Sequence, residues 1–113
     1  MAVAPLNFTI DQGSDNEISI TIYSEDGVPL NLTGFGVQSY VRKHYTSTNY
    51  TPFDVVFVNR LIGEIALIMP KERSSSLKEG RYVYDIILLS PNNVKTRVVQ
   101  GNILVNPGVT LNE

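Results

Sequence analysis

Apolar and polar residues alternate along most of this chain with a period of two, the repeat of a β-strand that buries one face. The clearest case is Glu17 to Tyr23, which sets Ile18, Ile20 and Ile22 on one face and Glu17, Ser19, Thr21 and Tyr23 on the other. Leu6 to Ile10 repeats the pattern over a shorter span, and Phe35 to Arg42 groups Phe35, Val37, Ser39 and Val41. Phe53 to Val58 and Ile62 to Met69 read as a hairpin around Asn59-Arg60-Leu61-Ile62-Gly63, stopped by Pro70. Arg81 to Leu89 and Val94 to Val105 are the two longest strands, and Gly101 is expected to mark a bulge in the second. Between the strands lie turn formers: Asp11 to Asn16, Ser24-Glu25-Asp26-Gly27, and Ser90-Pro91-Asn92-Asn93. Val28 to Gly34 contains Pro29 and reads as an edge or connector, while Lys43 to Pro52 is the longest polar stretch and predicts an exposed loop. Lys71 to Lys78, with three consecutive serines, predicts a short helical turn. About seven strands and no helix-period segment predict an all-β protein, an antiparallel sandwich or a small barrel.

The spacing Leu77-x-x-Gly80-x-Tyr82-x-Tyr84 tips this choice. It resembles the entry to the F strand of an immunoglobulin-like sandwich, where a tyrosine hydroxyl bonds back to the backbone of the preceding corner. Tyr82 is expected to be that tyrosine, bonding near Ser74 to Leu77, and Tyr84 to stand where antibody domains carry a cysteine. The expected core contains Ile18, Ile20, Ile22, Val37, Ile65, Leu67, Tyr82, Ile86 and Val105.

Length and composition narrow what such a sandwich does. The 113 residues fit one domain, taken as 1–113, large enough for a core without covalent staples. There are no cysteines, which removes disulfides and thiolate metal sites. The net charge of −2 comes from scattered side chains with no run of one sign, so neither nucleic acid nor an anionic membrane is the expected partner. The start, MAVAPLNFT, has neither the basic nor the apolar region of a secretory signal, and no apolar run approaches a spanning helix. The expectation is a soluble protein made in the cytoplasm.

Candidate chemistry is thin. His44 is the single histidine, too little with no cysteine for a zinc site or a nucleophile–base pair, and no Gly-x-Ser-x-Gly presents a serine. Asp11, Asp15 and Glu17 make an oxygen-rich loop of the kind that holds calcium, but it lacks the EF-hand spacing, and turn formation accounts for these residues. No cofactor, metal or catalytic residue is expected. Tyr40, Tyr45 and Tyr50 cluster around the Lys43–Pro52 loop, where exposed aromatics could stack on sugar rings. The sequons at Asn7, Asn31 and Asn49 are read as products of an Asn/Thr-rich β composition.

An ordered set of motifs runs through the chain: Phe8-Thr9-Ile10-Asp11-Gln12-Gly13, Asp26 to Phe35 (DGVPLNLTGF), Val41-Arg42, Gly63 to Leu67, Leu77 to Ile86 (LKEGRYVYDI), Val99 to Val105, and Val109-Thr110. It resembles a family of small virion proteins of tailed bacteriophages, and is similar to the N-terminal β-sandwich of phage baseplate upper proteins. The resemblance implies a non-enzymatic tail, neck, baseplate or capsid-surface component, present in the virion in multiple copies or as a homo-oligomer with other virion proteins as partners. The long Lys43–Pro52 loop and the end near Glu113 depart from the pattern and favour an adaptor or decoration subunit over direct adsorption. The alternative is a carbohydrate- or host-receptor-binding module using Tyr40, Tyr45 and Tyr50.

One strand suggests how such a subunit would assemble. If Tyr82, Tyr84, Ile86 and Leu88 face inward, alternation turns Val83, Asp85, Ile87 and Leu89 outward, and three of those four are aliphatic. An outer sheet face is normally polar, so Val83, Ile87 and Leu89 are the expected interface, with a similar excess at Val56, Val58 and Ile68.

Overall fold

The computed structural model describes residues 4–108. The Val109-Thr110 pair and both extremes of the expected 1–113 domain lie outside the described residues. The strands are β1 (Ala4–Pro5), β2 (Phe8–Asp11), β3 (Asn16–Thr21), β4 (Gly36–Arg42), β5 (Thr51–Pro52), β6 (Asp54–Asn59), β7 (Glu64–Met69), β8 (Gly80–Leu89) and β9 (Lys95–Asn106). One turn of 3-10 helix, Arg60–Ile62, joins β6 to β7, and a single helical turn, α1 (Lys71–Ser74), follows β7.

The strands form two sheets, β3-β7-β6 and β1-β9-β8-β4-β5, with β2 also pairing β9. Matched to their order in the chain, these are the B-E-D and G-F-C-C′ arrangements of an immunoglobulin-like sandwich. The fold is therefore a β-sandwich of that type, not a barrel. One hydrophobic cluster lies between the sheets, drawing Ile20, Ile22, Ile65, Leu67, Met69, Tyr84, Ile86, Leu88, Ile103 and Val105 from both. Of the expected core, Ile18 and Val37 are only partly buried and pack against its margin.

Two expectations need correction. The sandwich is not wholly antiparallel, because β1 and β2 run parallel to β9. The bulge in β9 is at Val98, not Gly101: Ile86 faces Val99 while the next residue, Ile87, faces Arg97. Val98 and Val99 are consecutive and both buried, as the one extra residue of a bulge allows. Gly101 serves a different need. The first strand kinks across it between β1 and β2, and a Cβ there would run into the Leu6 carbonyl oxygen. That carbonyl accepts the buried Tyr84 hydroxyl at 2.6 Å, so the place where antibody domains put a cysteine holds a hydrogen-bonded tyrosine. Phe8 and Phe53 pack on its ring at centroid distances of 4.8 and 6.5 Å. Burial pushes the Tyr84 hydroxyl up to about 12.

Strand β8 follows the predicted alternation along its length, with Tyr82, Tyr84, Ile86 and Leu88 buried. Strand β7 does not alternate: Ile65, Ala66 and Leu67 are all buried, because it is the central strand of its sheet and a small alanine on its outer face is covered by its neighbours. The expected Lys43–Pro52 loop ends differently, its last two residues turning back as β5 to pair with Tyr40 and Val41.

Candidate functional site

Four regions bear on function, and the first is the corner before β8. The Tyr82 hydroxyl donates to the Lys78 carbonyl at 2.8 Å, one residue beyond the expected Ser74–Leu77 stretch. Burial raises its pKa. Leu77 is buried beneath the corner, and Gly80 takes a positive φ of 133° that only glycine adopts readily. The Lys43 ammonium stands 4.7 Å from the Tyr82 ring centroid. Around this corner, distant segments are tied by side chains. Asp15 accepts the Lys71 N–H at 2.8 Å and so caps α1 from 56 residues away in sequence. The buried Ser74 hydroxyl donates to the Ser14 carbonyl and accepts the Gly13 N–H, and Gln12 donates to the Leu77 carbonyl. Arg73 bonds the Pro52 carbonyl and pairs with Asp54, each at 2.6 Å. In the oxygen-rich loop, Asp11 takes a bond from Asn106 at 3.4 Å while Asn16 closes the turn on the Asp11 backbone. Among the described residues no three His, Cys, Asp or Glu side chains stand together as a metal site. His44 lies exposed in its loop, its backbone N–H donating to Ser47.

The second region is the outer face of β8. Val83, Ile87 and Leu89 do point outward, but all three are half-buried. Their cross-strand neighbours explain this. Val83 lies between Arg42 and Asn102, Ile87 between Gln38 and Arg97, and Leu89 between Gly36 and Lys95. Long polar side chains laid along a central strand cover aliphatic surface with their stems. The stripe is apolar in sequence yet shielded within one chain.

The third region gathers the three expected tyrosines. Tyr40, on the outer face of β4, stacks on Tyr50 with ring centroids 4.3 Å apart and planes 28° from parallel. Arg42, two residues along the strand, sits 5.1 Å from the Tyr50 centroid and donates to the Ser47 carbonyl at 2.5 Å. An open groove of about 370 Å³ runs beside them and includes Tyr45, which is 63% exposed. Sequence reasoning found the tyrosines but missed the cations that join them. Arg97 reaches this face because the Val98 bulge shifts the alternation of β9, and its Nε contacts Asp85 at 3.1 Å. Cations that lie far apart in the chain meet across three strands, where no run of like charge could reveal them.

The fourth region is the end of the sandwich opposite the corner. Residues 22–35 and 59–63 are joined there by Ile22 N–H to the Gly63 carbonyl, Leu32 N–H to the Arg60 carbonyl, and Arg60 to the Leu32 and Phe35 carbonyls, and the Pro91 side chain of the 90–94 turn comes up against Gly34. The Arg60 guanidinium also lies 3.5 Å from the Phe57 ring centroid. Gly63, at φ 69°, leaves no room for a Cβ, which would fall 2.5 Å from the Ile22 carbonyl oxygen. From this frame Tyr23, Val28, Val58, Leu61, Ile62 and Val94 project as exposed apolar side chains, Leu61 at 67% and Val58 at 57%. The sequence did hold a signal: two aliphatics in a hairpin turn, where turn formers belong.

No protein-family model matches the chain, and no curated protein matches it in sequence. Among solved structures, an internalin-like protein of Listeria monocytogenes superposes with a TM-score of 0.46 at 14% identity, covering 94% of this chain. The chain spans 28% of that protein's length. Murine CRIg superposes with a TM-score of 0.40 at 12% identity, covering 90% of this chain and 92% of its own. No helix among the described residues is long and apolar enough to cross a membrane.

Proposed function

We propose that this chain is a structural subunit of a tailed-phage virion, an adaptor or decoration component of tail, neck, baseplate or capsid surface. It acts by protein–protein assembly, without catalytic residues, metal or cofactor, in multiple copies beside other virion proteins. The sequence resemblance supplies the virion setting. The observation that carries the assembly role is the apolar end formed by Tyr23, Val28, Val58, Leu61, Ile62 and Val94. Burying one such side chain fully is worth about 1.5–3 kcal/mol, and with 41–67% of each still exposed a lone monomer forgoes part of that gain at all six. Large apolar exposure on an otherwise well-satisfied domain marks a contact surface. The shielded stripe of Val83, Ile87 and Leu89 is the second candidate surface, and its half-burial makes it the weaker one. Quantitative mass spectrometry of purified particles tests the proposal: the chain is expected at a fixed, multiple copy number per particle, and its absence from particles overturns it.

One observation favours a second reading, recognition of a carbohydrate or host receptor. It is the Tyr40–Tyr50 stack beside Arg42, with Tyr45 exposed nearby. Binding on a glycan array that is lost in tyrosine variants would support it.

A further inference from the structure

We propose that the outer face of the β9-β8-β4 layer binds an anionic saccharide, a chain of sugar rings bearing carboxylate or phosphate groups. The inference rests on the recognition reading of Tyr40, Tyr45 and Tyr50 and names the ligand class that this face suits. Two open grooves, of about 370 and 400 Å³, share Tyr40, Arg42, Asp85 and Arg97, and so form one furrow across the sheet. Tyr45 lines one part of it and Lys95 the other. A furrow open to solvent suits an extended chain better than a small enclosed molecule.

Its charge is the opposite of the protein's. Arg42, Lys95 and Arg97 face a single carboxylate, Asp85, on a chain whose net charge is −2. The Asp85 contact occupies only the Nε of Arg97, and the Ser47 contact only one terminal nitrogen of Arg42. A guanidinium offers five N–H donors in a planar fork matched to carboxylate or phosphate, so both retain donors for an anion. Asp85 is acceptor-only when ionised and suits a sugar hydroxyl.

The aromatic rings supply the other half. Tyr45 is 63% exposed and lines the furrow with Tyr40, whose ring is braced by the stacked Tyr50. An exposed ring beside two guanidinium groups offers an apolar platform for the C–H face of a sugar and a charge for its substituent. An acidic peptide would use the cations but has no need of the platform. A neutral glycan would use the platform and leave the cations idle.

The full chain is titrated calorimetrically with polygalacturonate, a phosphomannan, neutral dextran and polyglutamate, at low and at high salt. Binding to polygalacturonate or the phosphomannan is expected, with the tighter of the two identifying the anion. Dextran should not bind, polyglutamate should bind more weakly than the charged saccharide, and affinity should fall as salt screens the furrow. Arg97→Gln and Tyr45→Ala should each weaken binding about tenfold, as loss of one charge-assisted or stacking contact implies. Tyr45→Phe should bind as the native chain does. Dextran bound as tightly, with the same dependence on Tyr45, overturns the anionic class while leaving the recognition reading standing. Polyglutamate bound as tightly as the saccharides overturns the saccharide assignment. Binding to none of the four, or native affinity in both variants, overturns the proposal together with the reading beneath it. The salt dependence is read on the native chain and decides the charge question even if a variant fails to fold.

Discussion

The two ends of the sandwich are built from comparable loops and differ in the aliphatic side chains they expose. At the corner end, Asp15, Ser74, Gln12, Tyr82 and Arg73 tie together backbone segments distant in sequence. Polar side chains are spent there on the protein itself, and Leu77 is buried beneath them. At the opposite end Gly63, Arg60 and Leu32 join the backbone segments, but the side chains that project are tyrosine, valine, leucine and isoleucine. Apolar loop tips are a costly surface for a protein that meets only water. The side chains of the corner end tie the fold together, and under the proposed assembly role the loop end would meet a partner.

The contrast can be broken most sharply at Gly63, which holds the loop end's frame. Gly63→Val combines a positive φ with a close approach to the Ile22 carbonyl, and should cost about 3 kcal/mol or more, read as a lower urea midpoint. At the corner end, Ser74→Ala removes a buried hydroxyl that serves Gly13 and Ser14 and should cost about 1–3 kcal/mol in the same measurement. Tyr82→Phe deletes one hydrogen bond to Lys78 with the ring retained, and should cost about 1 kcal/mol at an unchanged fold. A midpoint identical to the native one would remove Tyr82 from the corner's support.

A smaller effect should appear with pH. The folded Tyr84 pKa of about 12 lies above the ordinary tyrosine value near 10. The unfolded chain therefore loses this proton first, and stability present below about pH 10 should decline as pH rises through about 12. Tyr84→Phe should flatten that decline, and an unchanged slope would show that Tyr84 does not contribute to it.

Much of the fold could be read from strand grammar. The alternation in β3, β4 and β8 and the Leu77/Gly80/Tyr82 spacing are local patterns, set by residues that neighbour one another in the chain. Strand grammar does not encode contacts at long range. Gly101 read as a bulge because a glycine inside a strand admits two explanations, and only the crossing of Leu6 selects the second. The actual bulge at Val98 bears no special residue, since a valine pair fits a strand in either register. The parallel pairing of β2 with β9 was hidden because alternation is the same for both strand directions. For the sites, outward direction could be predicted for Val83, Ile87 and Leu89, but their shielding depended on which long side chains lay across from them. The three tyrosines were recognised as a cluster, whereas Arg42, Lys95 and Arg97 came together only through cross-strand register and the bulge.

If the loop end is the proposed assembly surface, a folded chain altered there should lose a competition for places in the particle. A chain carrying both Val58→Asp and Leu61→Asp is expressed beside the native chain during particle production, and the two are quantified in purified particles. Each change lies on exposed surface and should cost within about 0.5 kcal/mol, so the variant should melt close to the native temperature. This folded variant should be excluded from particles, while Ile87→Asp, placed on the shielded stripe, should be incorporated if it folds. Native-level incorporation of the folded Val58→Asp/Leu61→Asp chain would overturn the assignment of the loop end.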